Sequence, residues 1–151
     1  MIIIISECLS QIRALGCKAS CEQSFNYDCK LAIDGLFETF WMIRHFENND
    51  EDYENNPWIK LELGSLYDIQ AIEFTHHSNI TFEMFKDLIL EFSNNMNESV
   101  SLNSTTSINM INFMNPISSS FVKVVGQNSY GDSFQGTGFA EIRVYGCYEG
   151  I

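Results

Sequence analysis

The chain has 151 residues, with eight basic side chains against twenty acidic ones and a formal charge of −12 at pH 7. That length suits one domain with its own hydrophobic core. The acidic excess serves solubility, repels phosphate backbones and anionic lipid headgroups, and argues against nucleic acid as a partner.

Met1 to Ile5 is apolar but much too short to span a membrane, and no basic residues precede it as in a signal peptide. Either the chain is a processed fragment or its leader lies outside this sequence. Residues 1–13 read as a lead-in segment, 14–147 as the domain and 148–151 as a tail. Cysteines stand at 8, 17, 21, 29 and 147, with no C-x-x-C and no Cys/His spacing of the zinc-binding kind. Ser6 to Lys30 has no helical period and reads as an irregular, cysteine-stitched stretch. Three sequons, at Asn79, Asn97 and Asn103, fit a glycosylated and oxidised setting, hence an extracellular or cell-surface location.

The next stretch, Leu31 to Trp41, holds the strongest local signal. Asp34-Gly35 is a turn pair, because Gly tolerates positive φ and Asp bonds its own backbone two residues on. Phe40 and Trp41 follow and are large enough to anchor a core. A carboxylate in such a turn, with Thr39 beyond it, folds oxygens around a hard cation or simply makes an Asx-turn. His45 to Asn56 is acidic and poor in apolar residues, as a surface loop is. Its Asp50-x-Asp52-x-Glu54 lacks the mid-loop Gly and terminal Glu of an EF-hand, so it reads as solvated loop.

Strands follow. Ile59, Leu61 and Leu63 alternate with Lys60 and Glu62, and Gly64-Ser65 reads as the turn that ends this strand. In Asp68 to Thr75 the apolar residues occupy both faces, which predicts a bulge or burial on both sides. Leu88, Leu90 and Phe92 mark a third strand, Ile108 to Phe113 a fourth, and Val122 with Val124 a fifth. Ala140, Ile142 and Val144 mark a sixth. The Asn/Ser-rich residues between the third and fifth read as long turns. Many short strands and no sustained helical stripe predict a β-sandwich. Glu141 opens the last strand and Cys147 ends it. A bond from Cys147 to an early cysteine would lock the chain ends, worth roughly 4–5 kcal/mol on the loop-entropy account.

Taken together, Ala32-Ile-Asp-Gly35 with Thr39 and Trp41, Pro57-Trp-Ile-Lys-Leu-Glu-Leu-Gly64, Ile69-x-x-Ile72, Ser120-Phe-Val-Lys-Val124 and Gly138-Phe-Ala-Glu-Ile-Arg-Val-Tyr-Gly-Cys147 resemble the coagulation factor 5/8 type C, or discoidin, domain. The resemblance runs from about Ala14 to Cys147. That domain belongs to the galactose-binding-like group, with F-type lectins and family 32 carbohydrate-binding modules. It implies an all-β antiparallel jelly-roll sandwich of about eight strands with ligand loops at one end. It also implies a structural calcium held by Asp34 and Glu141, with Thr39 and the backbone oxygens of Leu31, Leu36 and Ala140. The competing arrangement has Asp34 capping its own turn and Glu141 paired with Lys or Arg. The family's terminal disulfide would join Cys8 to Cys147, with Cys17 as a rival partner. Cys21 and Cys29 would then close a small loop, leaving Cys17 free or bonded to another chain.

The resemblance places a ligand among three loops, Trp41–Asn56, His76–Phe85 and Gly126–Gly136. They offer His45, Phe46 and Tyr53; His76, His77 and Asn79; and Asn128, Tyr130 and Phe134. Aromatic faces stack on a sugar's C–H patch while His and Asn bond its hydroxyls. The second loop has no Arg, a departure from the F-type lectins and from galactose-binding modules, and a glycan on Asn79 would shield it. The acidic loop speaks against insertion into anionic membranes. No G-x-S-x-G, H-E-x-x-H, P-loop or dinucleotide fingerprint is present. The expectation is a non-catalytic extracellular module for a glycan or glycoprotein. The alternative is a structural module that joins extracellular proteins.

Overall fold

The computed structural model describes residues 9–20, 28–43, 56–134 and 136–149. Eight antiparallel strands carry nearly all of it: β1 Ser10–Ile12, β2 Gly16–Ala19, β3 Trp41–Met42, β4 Trp58–His76, β5 Phe85–Phe92, β6 Asn97–Ser101, β7 Ile108–Ser129 and β8 Gly138–Tyr148. Short 3-10 turns at Cys29–Ala32 and Thr81–Glu83 are the helical pieces described.

The fold is organised by the long pair β4 and β7. Their first contact runs from Trp58 opposite Val125 to Glu62 opposite Phe121, and their second from Tyr67 opposite Ser119 to Thr75 opposite Ile108. Between Glu62 and Tyr67, β4 spends five residues where β7 spends two, and the ladder bends there. The predicted Gly64-Ser65 turn is therefore a bend inside one strand, because β7 runs past it and keeps pairing on both sides. For the same reason the fourth and fifth predicted strands are two halves of β7. A second irregularity, between Ile69 and Ala71, is the bulge the two-faced apolar pattern predicted.

Strand pairing separates two layers. One holds β2, the first half of β4, the second half of β7, β5 and β6; the other holds β1, β8, the second half of β4 and the first half of β7, with β3 on the far part of β8. Inward residues of both layers form one core, including Leu61, Leu88, Leu90 and Val124 from one and Ile72, Phe74, Ile142 and Val144 from the other. Burying each such side chain contributes about 1.5–3 kcal/mol before chain entropy is counted. Trp41 is fully buried and lies 6.1 Å from Phe85 and 6.3 Å from Phe139, ring centre to ring centre.

The segment expected to be irregular supplies β1 and β2, edge strands of three and four residues that are too short to show alternation. β2 sets Cys17 beside the turn carrying Cys29, Cα to Cα 6.1 Å, and the two are disulfide-bonded. This corrects the expected Cys21–Cys29 loop, and Cys17 is neither free nor the partner of Cys147. Cys8 and Cys21 lie outside the described residues. Cys147 sits opposite Asp68, with its Sγ 3.7 Å from Gln70 Nε2.

Candidate functional site

The Asp34-Gly35 turn follows directly from the 3-10 turn Cys29–Ala32, with Gly35 at φ +80°, the left-handed region where Gly is at ease. Asp34 Oδ1 accepts from Leu36 N–H at 3.0 Å, and Thr39 Oγ1 donates to Asp34 Oδ2. From the far end of the chain, Glu141 reaches the same turn and accepts from Gly35 N–H at 2.6 Å. Its side chain is buried, 1% exposed, and its other oxygen lies 3.6 Å from Arg143 Nε. Burial pushes Glu141 up to about 7, helped by the nearby Asp34 carboxyl and opposed by the Gly35 N–H and Arg143.

The two carboxylates that the sequence singles out thus meet in one corner, and both expected competing contacts are present beside them. β8 spends two residues, Phe139 to Glu141, where β4 spends one, His76 to Thr75, so Ala140 bulges out of the ladder. Two facing carboxylates beside a bulged backbone are a donor set suited to a hard cation. The described three-membered cluster of metal-ligand types is elsewhere, at Cys17, Asp28 and Cys29, and its sulfurs are already bonded to each other.

Described residues of the three predicted loops meet at one end of the sandwich. A groove of about 720 Å³ is lined by Met42 and Ile43 from the first, Phe82 and Glu83 from the second, and Tyr130, Gly131, Asp132, Ser133 and Gly136 from the third. Backbone bonds join its walls: Gly136 N–H to Ile43 O at 2.8 Å, Ile43 N–H to Thr137 O at 2.8 Å, and Tyr130 N–H to Met84 O at 3.0 Å. Phe82 presents its ring to solvent, 59% exposed, and Glu83 and Asp132 supply acceptors.

The predicted residues take other places around this groove. His76 is 5% exposed, packed 6.4 Å from the Phe139 ring, with Nε2 3.3 Å from Asn103 O. His77 Nε2 is 2.5 Å from Gly136 O, and its ring lies 4.8 Å from that of Phe40. Burial lowers the affinity of both histidines for a proton. Asn128 Oδ1 accepts from Asp87 N–H at 2.9 Å, Tyr130 Oη donates to Leu102 O at 2.6 Å, and Phe134 packs 6.0 Å from Phe85. These contacts hold the loops in place, and of these five residues only Tyr130 also lines the groove. Asn79 is exposed, as are Asn97 and Asn103. His45, Phe46 and Tyr53 lie outside the described residues. Phe82, Glu83 and Asp132 were missed in favour of the more conspicuous histidines; an aromatic flanked by Thr81 and Glu83 in a polar loop was the available signal.

A bent eight-strand antiparallel sandwich with a loop-built groove at one end defines a jelly-roll domain of the galactose-binding-like kind. The F5/8 type C domain matches residues 17–142, and the chain belongs to that family. Solved structures share the fold at low identity. The family 32 module of Clostridium perfringens NanJ, in complex with galactose, superposes with a TM-score of 0.72 at 19% identity, covering 91% of this chain and 98% of that one. The Clostridium perfringens module CpGH89CBM32-5, in complex with GalNAc-β-1,3-galactose, gives 0.71 at 22% identity over 89% and 99%. A mutant lectin-binding domain of lectinolysin, complexed with Lewis b, gives 0.63 at 13% identity over 89% and 93%. No curated protein sequence matches the chain.

Proposed function

We propose that this domain binds a glycan or glycoprotein, without catalysis, in the groove between Phe82 and Asp132. The observation that carries this is the convergence of three loops on an exposed aromatic face flanked by carboxylate acceptors. Phe82 stacks on the apolar face of a pyranose, and Glu83 and Asp132 accept from its hydroxyls. Similar folds carrying galactose, GalNAc-galactose and Lewis b support a neutral sugar as the ligand. The described lining contains no basic side chain, which speaks against anionic membranes. The Cys17–Cys29 disulfide and three exposed sequons support an extracellular or cell-surface setting, and no described helix is long and apolar enough to cross a membrane. A glycan array in calcium is the test, with terminal galactose and GalNAc expected to score and Phe82→Ala to lose the signal. An array empty at high protein concentration would hand the groove to the alternative, a protein-assembly role.

The corner between Asp34 and Glu141 fits a structural calcium, with Thr39 and the carbonyls of Leu31, Leu36 and Ala140 completing the shell. Bound there, the ion supplies charge that offsets two facing carboxylates and pins the Asp-Gly turn to β8. Chelation is expected to lower Tm in the parent protein and leave Asp34→Ala unchanged. Equal melting curves with and without chelator in the parent would remove the ion from this account.

A further inference from the structure

The outward face of the first layer carries a feature that the groove does not use. Lys18 on β2 stands directly opposite Lys60 on β4, and Lys60 stands directly opposite Lys123 on β7. Three of the chain's eight basic residues thus form one row across three strands, in a molecule with twenty acidic side chains. Like charges directly opposite each other in a sheet are destabilising, and Glu62 and Glu91 stand beside two of the three. The three line a hollow of about 520 Å³ together with Trp58, Phe121, Asn95, Asn97 and one carboxylate, Glu91.

Local contacts fix where the charges point. Lys60 Nζ lies 4.1 Å from the centre of the Phe121 ring and 3.2 Å from Glu62. Lys123 Nζ lies 4.7 Å from the centre of the Trp58 ring and 3.8 Å from Glu91. Lys18 is exposed at the end of the row. The three lysines stand on neighbouring strands about 4.8 Å apart, with Lys60 Nζ leaning towards Phe121, opposite Glu62, and Lys123 Nζ towards Trp58, opposite Val125.

We infer that this hollow binds an anionic polysaccharide, lying across β2, β4 and β7, with its carboxylate or sulfate groups on Lys18, Lys60 and Lys123. The size of the partner decides between classes. A bilayer or a bulky acidic protein brings its charge within a Debye length of about 10 Å of the whole acidic body. A single extended glycan meets three ammonium groups against the two carboxylates beside them, Glu62 and Glu91, and the amides of Asn95 and Asn97 bond its hydroxyls.

The test uses heparin and polygalacturonate as probes, which separate sulfate from carboxylate recognition, with neutral dextran, poly-glutamate and phosphatidylserine vesicles alongside. The protein is made without N-glycans, because the Asn97 sequon opens on the same hollow. Binding to one of the two polyanions that weakens steeply with salt is expected, since each neutralised charge releases counterions. The triple variant K18Q/K60Q/K123Q should bind roughly tenfold or more weakly, with a shallower salt dependence. Lys18→Gln alone should show part of the loss, which keeps the test open if the triple variant folds poorly. Phe82→Ala, which removes the ring of the other site, should bind the polyanion as the parent does. Absence of polyanion binding at low salt, undiminished binding by the triple variant, or tighter binding to poly-glutamate or vesicles would overturn the inference.

Discussion

Glu141 is the side chain whose environment says most about the molecule. A buried carboxylate facing a second one is costly once ionised, and its pushed-up value of about 7 measures that cost. Without a cation, the folded state holds the Glu141 proton more tightly than the unfolded chain does. Its contribution to stability is therefore fully present below about 4.5, the ordinary carboxyl value, and is lost as pH rises through about 7. Glu141→Gln keeps an acceptor for Gly35 N–H and removes the charge. In chelator above neutral pH, the variant is expected to be more stable than the parent, by up to the order of 3 kcal/mol. In calcium the order should reverse, because the variant lacks a charged ligand. Thermal melts of both proteins, with and without calcium, check both halves. A parent that stays below the variant in calcium would exclude an ion at Glu141.

At the scale of elements, two attachments control the corner and the groove. The Cys17–Cys29 bond closes a short loop of sequence separation 12 and ties β2 to the turn that leads into Asp34. Its loss in Cys17→Ser/Cys29→Ser should cost about 3 kcal/mol on the chain-entropy account and is read by denaturant unfolding. β3 meets β8 at Met42 opposite Gly138, where a Cβ would fall 1.9 Å from Trp41 O. Gly138→Ala must therefore part the two strands, and a loss of more than about 2 kcal/mol is expected. Because Met42 and Ile43 are a wall of the groove, the same variant should lose sugar binding at temperatures where it stays folded. Calorimetry and titration on one sample report both effects. The sequence made the inward alternation of β4, β5 and β8 plain, since burying one face imposes a period of two. It hid β1, β2 and β3, whose two to four residues hold too few positions for a period, and it split β4 at Gly64-Ser65, because a bend that keeps its pairing has the same local chemistry as a turn that ends it. The Asp34–Glu141 meeting was legible through the family resemblance, as two separate carboxylates say nothing of their distance. The groove was half legible: its loops were located, but exposure decides which side chains line it, and His76, polar and conspicuous in sequence, is buried against Phe139.

The whole molecule carries −12 on a small body, and this charge sets how its two faces respond to salt. Its described ion pairs on the first layer, Lys60–Glu62 along β4 and Lys123–Glu91 between β7 and β5, are partly exposed, at 30%/42% and 31%/34% of their side chains. Pairs of that kind are worth about 0–1 kcal/mol each, so weakening them costs little. General self-repulsion among twenty acidic groups is the larger quantity that salt relieves. Tm should therefore rise between about 0.01 M and about 1 M salt, where the Debye length falls from about 30 Å to about 3 Å. Sugar binding in the groove depends on ring stacking and hydroxyl hydrogen bonds, so the Kd for a neutral disaccharide should stay within a factor of about two over the same range. Isothermal titration and melts at matched salt concentrations check the pair of expectations. A neutral-sugar Kd that climbs steeply with salt would mean that charge, not the Phe82 face, provides the affinity. A Tm that falls with salt would mean that specific ion pairs outweigh the general repulsion.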